Sequence, residues 1–292
     1  MRKTATFVEG LYFGEGPRWH DGELWLSDFF QYAVLRVSMS GHVTKVVDVP
    51  NRPSGLGWLP DGRLLVVSMT DRKLMRLDPD GLHVHADLSN VATFHCNDMI
   101  VDDRGRAYVG NFGFDLDTFL AEHGVEAALA DPGPPRAVLT RVDPDGSVHV
   151  AAEDLKFPNG SVITPDGRTL IVAETLGLRL TAFDIAPDGT LSNRRVWAPT
   201  GTVAPDGICL DAEGAIWVSN PLGDEIIRVA HGSEVLDRVT TSQQSFACML
   251  GGPDRKTLFV ITAPTSTAHE AAGAARGRIE RIDVAVPGAG RP

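Results

Sequence analysis

The sequence predicts an all-β fold, a six-bladed β-propeller with four-stranded blades. Two observations lead to it: a strand motif recurs six times at a period near forty, and a second alternating strand follows every copy. The first motif reads Glu-Leu-Trp-Leu-Ser from Glu23, Arg-Leu-Leu-Val-Val from Arg63 and Arg-Ala-Tyr-Val-Gly from Arg106. It returns as Thr-Leu-Ile-Val-Ala from Thr169, Ala-Ile-Trp-Val-Ser from Ala215 and Thr-Leu-Phe-Val-Ile from Thr257. The starts lie 40, 43, 63, 46 and 42 residues apart, the length of one four-stranded blade.

The second motif follows in register. Examples are Val34-Leu35-Arg36-Val37, Leu74-Met75-Arg76-Leu77, Leu139-Thr140-Arg141-Val142 and Ile226-Ile227-Arg228-Val229. Several copies run into Pro-Asp-Gly, where proline presets φ and glycine accepts a positive φ. Asp78-Pro79-Asp80-Gly81 superficially resembles the start of a calcium loop, but the glutamate and flanking helices of an EF-hand are missing, so it reads as a turn. The single long interval holds an insertion, 113–136, with a helix-permissive middle and a rigid Asp-Pro-Gly-Pro-Pro end. Insertions of this kind often form lids or binding walls. A strand at Thr4–Val8 is expected to pair into the last blade and close the ring, because closure removes exposed sheet edges. Residues 1–292 are read as one domain.

A column of polar residues precedes the turns. One equivalent position reads Glu15, Ser54, Asn97, Asn159, Asp206 and Ala247 around the repeats. Innermost strands of a propeller share one axis, so these positions converge on the channel. Two carboxylates and two amides there form an oxygen-rich nest. Such donors, without thiolate or imidazole, suit a hard divalent cation. Two carboxylates in a narrow channel also repel unless a cation or a shared proton neutralises them.

Composition excludes other classes. Apolar residues make up 43%, enough for a core, and the net charge is −11 with no Lys/Arg stripe, so nucleic acid is not an expected partner. No run of eighteen apolar residues occurs, so no membrane span is expected. The basic start lacks a following apolar run and does not read as a signal peptide, which makes a cytoplasmic location the expectation. Three cysteines, Cys96, Cys209 and Cys248, are widely spaced and read as buried thiols. Nucleophile-elbow, phosphate-loop and His-Glu-x-x-His patterns are missing.

Taken together, Glu15-Gly16-Pro17 before Trp19, Asn97-Asp98, Asn159-Gly160 and Pro205-Asp206-Gly207 resemble the SMP-30/gluconolactonase family, also represented by regucalcin, over nearly the whole chain. The resemblance implies a six-bladed propeller and a metal-dependent lactonase opening a sugar or related lactone. It matches Glu15, Asn159 and Asp206 to the metal ligands and Asn97 to a residue contacting substrate. Ca²⁺ is the first expectation for the cofactor, with Mg²⁺, Mn²⁺, Zn²⁺ or Fe²⁺ also compatible. His95 stands where sugar-lactone members often carry Arg, and Arg supplies bidentate contacts that His cannot. In this reading Asp206 is the general base, while Asn97 and His95 orient a small-molecule substrate. An esterase or organophosphate hydrolase on the same propeller, and a non-catalytic scaffold stabilised by its metal, are the alternative readings.

Overall fold

The structure, a computed structural model, describes residues 2–289. Six sheets, antiparallel but for one short parallel strand added to the fifth, stand around one axis, each starting at the axis and stepping outward strand by strand. Blade 1 comprises Gly14–His20, Glu23–Asp28, Ala33–Val37 and Val43–Asp48. The innermost strands of the other blades are Pro53–Trp58, Cys96–Val101, Pro158–Ile163, Ile208–Leu210 and Gln244–Gly251. Each of these packs on the next, and the sixth returns to the first, so the ring closes. The six motif copies seen in the sequence form the second strands, which are buried on both faces and therefore read as near-continuous apolar runs.

Closure uses the N-terminal segment, with a boundary slightly different from the expected one. Ala5–Leu11 pairs antiparallel with Gly277–Asp283 and supplies the fourth strand of blade 6. Arg2–Lys3 has already paired in parallel with Val235–Thr240, the outer strand of blade 5. Thr4 is the crossing point between the two blades, and its amide donates to the Thr240 carbonyl at 3.1 Å.

The 113–136 insertion carries helix α1, Leu116–Leu129, between the second and third strands of blade 3. Asp115 caps it by accepting from the Thr118 amide at 3.1 Å. Gly124, at φ +77°, breaks its helical conformation near the middle. A second short helix, α2, spans Ala268–Gly273 in the equivalent connection of blade 6.

Tight contact between inner strands dictates glycine after several column residues. A Cβ on Gly160 would stand 2.6 Å from the Ile208 amide nitrogen of the next blade. One on Gly55 would collide with the backbone of Asp98 and Met99. The channel is therefore narrow because its wall is backbone packed on backbone.

Candidate active site

The inner strands are bulged where the polar column sits. In blade 1, Glu15 pairs with Ser27 and Arg18 with Trp25, so Gly16 and Pro17 both face the single residue Leu26. In blade 3, Asn97 and Asp98 face Gly110, and in blade 4, Asn159 and Gly160 face Ala173. Blade 2 repeats the irregularity at Ser54 and Gly55, and blade 6 at Phe246. A bulge breaks the strict in-out alternation and re-aims a side chain, here toward the axis.

Glu15, Asn97, Asn159 and Asp206 are buried and line one cavity of about 470 Å³ that opens at one end of the channel. His95 lines its wall. The structure thus brings all five residues singled out from the sequence to one place. A relay of hydrogen bonds orders the amides. Ser54 Oγ donates to Asn97 Oδ1 at 3.4 Å, and Asn97 Nδ2 donates to Asn159 Oδ1 at 3.0 Å. Asn159 Nδ2 then donates to Thr175 Oγ1 at 3.2 Å, and Thr175 Oγ1 to the Pro205 carbonyl at 2.7 Å. Asp206 is different: its Oδ1 is buried without a hydrogen-bond partner.

Electrostatics set these carboxylates apart. Burial, then repulsion from Asp98, pushes the Glu15 carboxyl up to about 8; its own Gly16 amide and Arg18 offset only part of this. Burial, then the charges of Glu15 and Asp98, raises Asp206 well above the usual carboxylate range, and Asn159 offsets little of it. Without a compensating cation the centre therefore holds protons near neutral pH. Burial also holds His95 below its ordinary value, with Arg52 adding to the effect, so the imidazole is neutral.

Sequence reasoning missed several residues. Asp98 is a third buried carboxylate, 6% exposed, and it pairs with Arg18 at 2.9 Å. Strict alternation does not place it in the centre with Asn97, and the structure sets the two together in the bulge opposite Gly110; its signal was an acid standing where neighbouring repeats carry Gly. Thr175, from the loop after the second strand of blade 4, and Arg52, before blade 2, line the cavity. Both stand at recurring positions: Arg52 lies two residues before Ser54, as His95 lies before Asn97, and Thr175 lies six after Thr169, as Phe112 lies after Arg106, so the repeat itself was the signal. Asp78, Asp80 and His83 gather on the outer hairpin of blade 2, but Asp78 is already paired with Arg63 and Arg76, as a turn reading requires. Among the described residues no helix is long and apolar enough to cross a membrane.

Fold and site together define a six-bladed propeller with a buried polar centre at one mouth of its channel. The SMP-30/Gluconolactonase/LRE-like region matches residues 13–264, and the chain belongs to that family. A pentonolactonase of Haloferax volcanii is 27% identical over 305 residues, covering 99% of this chain and 96% of that protein. A solved gluconolactonase of Xanthomonas campestris superposes with a TM-score of 0.73 at 25% identity, covering 97% of this chain and 89% of the other. The calcium-binding protein regucalcin of Agrobacterium tumefaciens shares the fold, with a TM-score of 0.79 at 22% identity and coverage of 100% and 97%.

Proposed function

We propose that the protein is a divalent-metal-dependent lactonase whose cation is held by Glu15, Asn159 and Asp206. The observation that carries this reading is the unpartnered, buried Oδ1 of Asp206 beside a second buried carboxylate, Glu15. An orphaned acceptor of this kind costs free energy unless something binds it. The donor set fits a hard cation: two carboxylates and the Asn159 amide oxygen, which keeps a second lone pair after accepting from Asn97. Lactonase names among the relatives support the same reaction class.

When bound, the cation supplies Lewis-acid polarisation of the lactone carbonyl. The protein's own groups account for the remainder. Asn97, fixed between Ser54 and Asn159, is placed to orient the carbonyl, and the neutral His95 lines the approach. Asp206 takes a proton from the attacking water as its oxygen bonds to the carbonyl carbon. The acyl–oxygen bond of the ring then breaks, and Asp206 returns the proton to the departing alkoxide, leaving a hydroxy acid. Beside a bound cation Asp206 would be ionised, free to accept that proton and return it.

The test is a lactone panel assayed with chelator and with Ca²⁺, Mg²⁺, Mn²⁺ and Zn²⁺ added back, alongside metal analysis. Turnover should vanish on chelation and return with metal. A metal-loaded protein that opens no lactone would overturn the proposal.

A further inference from the structure

Seven of the chain's twelve phenylalanines line the one cavity described above. They form two walls. Phe13, Phe29 and Phe30 of blade 1 join Phe246 of blade 6, with Phe13 at 5.2 Å from Phe29 and 4.8 Å from Phe246, centroid to centroid. Phe94 and Phe112 of blade 3 join Phe157 before blade 4, with Phe112 at 4.7 Å from Phe157. Blades three apart in a ring of six stand opposite one another, so the two walls face each other across the axis. Leu116, Leu120 and Val125 of helix α1 cover the space beside them.

All but two of the polar side chains lining the cavity belong to its floor or its rim. The floor holds the buried centre, and the rim holds the exposed Asp115, Asp117, Ser266 and Thr267. Between them even the polar side chains lie on rings. His95 packs at a tilt against Phe94 at 4.1 Å, and Arg52, the single Lys or Arg among the described lining residues, lies over Phe30 at 4.9 Å. A polyhydroxylated ring placed here would bury hydroxyls against aromatic faces, and each unpaired hydroxyl weakens binding by roughly tenfold or more. A planar or aliphatic body would instead gain stacking and desolvation in a space of about 470 Å³.

We infer that the substrate is a lactone carrying an apolar body, aryl or alkyl, held between the two phenylalanine walls while its carbonyl reaches the floor, and not a sugar lactone. This rests on the lactonase reading for its chemistry, whereas the ligand class rests on the walls alone. Two measurements separate them. One compares kcat/KM for dihydrocoumarin and δ-decalactone with that for glucono-δ-lactone and a pentonolactone. The other measures calorimetric binding of 3,4-dihydroquinolin-2-one, the hydrolysis-resistant amide analogue of dihydrocoumarin, to metal-loaded and to chelated protein.

The apolar lactones should be preferred by at least about tenfold, and the amide should bind with a negative heat-capacity change. Phe112→Asn should weaken amide binding and narrow the ratio of dihydrocoumarin to glucono-δ-lactone turnover by about tenfold. Leu120→Asn, on the helix, should do the same if the first variant folds poorly. Faster opening of sugar lactones with no amide binding overturns the inference and leaves the lactonase standing. Amide binding that depends on Phe112, without turnover of any lactone, upholds the apolar ligand and overturns the lactonase. Neither binding nor turnover overturns both.

Discussion

Glu15 and Asp206 are the residues whose charge state governs the site. The Glu15 carboxyl, raised from 4.5 to about 8, binds its proton more tightly in the folded metal-free protein than in the unfolded chain. That contribution to stability is fully present below pH 4.5 and is lost as pH rises through about 8. The metal-free protein should therefore melt progressively lower from pH 5 to pH 8, by up to about 1.4 kcal/mol per pH unit for one proton. Saturating cation should abolish the trend, and its apparent affinity should fall about tenfold per pH unit below 8, since binding displaces the proton. Titration calorimetry and melting curves across this range check both. Glu15→Gln should weaken metal binding and activity together, yet raise the melting temperature of the metal-free protein at pH 8, because a buried charge is gone. Asn97→Ala should lower kcat/KM by about ten- to a thousandfold while metal binding survives, since the three proposed ligands remain.

The blade 1 loops that carry one wall are fixed by a single buried acid at a strand end. Asp28, at the end of the second strand of blade 1, is fully buried and accepts from the amides of Tyr12, Phe13, Phe30 and Gln31 at 2.9–3.2 Å. It thereby ties Phe13 and Phe30, two members of one wall, to a single carboxylate. Asp28→Ala would leave four amide donors without their acceptor and should cost about 3 kcal/mol, read by thermal unfolding, with a raised KM for the preferred lactone. Helix α1 contributes differently. Ala128 is its one buried residue, so the fold depends little on it, while Leu116, Leu120 and Val125 face the cavity. Replacing residues 115–134 by a short Gly-Ser linker should alter which lactones are accepted far more than it alters the melting temperature. An equal loss of both would remove α1 from the substrate wall.

Closure by the N-terminus makes the whole ring depend on its first strand. Val8 and Leu11 are buried in the core shared with blades 1, 5 and 6, and Phe7 packs at a tilt on Phe259, 5.6 Å between centroids. Deleting residues 2–11 removes those side chains and bares the edge of Gly277–Asp283. Burial of two such side chains is worth about 3–6 kcal/mol, enough to lower the melting temperature by on the order of 10 °C in a chain of this size. The bared edge should also drive association, which light scattering would detect.

The blade count, the strand order and the polar column were legible in the sequence, because each is a local pattern repeated six times and a repeat fixes where equivalent residues converge. Glu15, Asn97, Asn159 and Asp206 followed from position alone, and they meet as expected in one cavity. Asp98 did not follow, since the bulge that sets it and Asn97 together against Gly110 is not legible in the alternation of the strand. The aromatic walls were not read: Phe13 and Phe157 both stand two residues before a column residue, and Phe29 and Phe112 both six after a motif start, but other blades carry Arg52, Met69 or Ala204 at those places, and an isolated phenylalanine reads as ordinary core. Their assembly depends on which blades stand opposite one another, a relation between residues more than a hundred positions apart that exists only once the ring has closed. Periodicity therefore determined the scaffold and its polar axis, while the tertiary structure decided the shape and apolar character of the space above it.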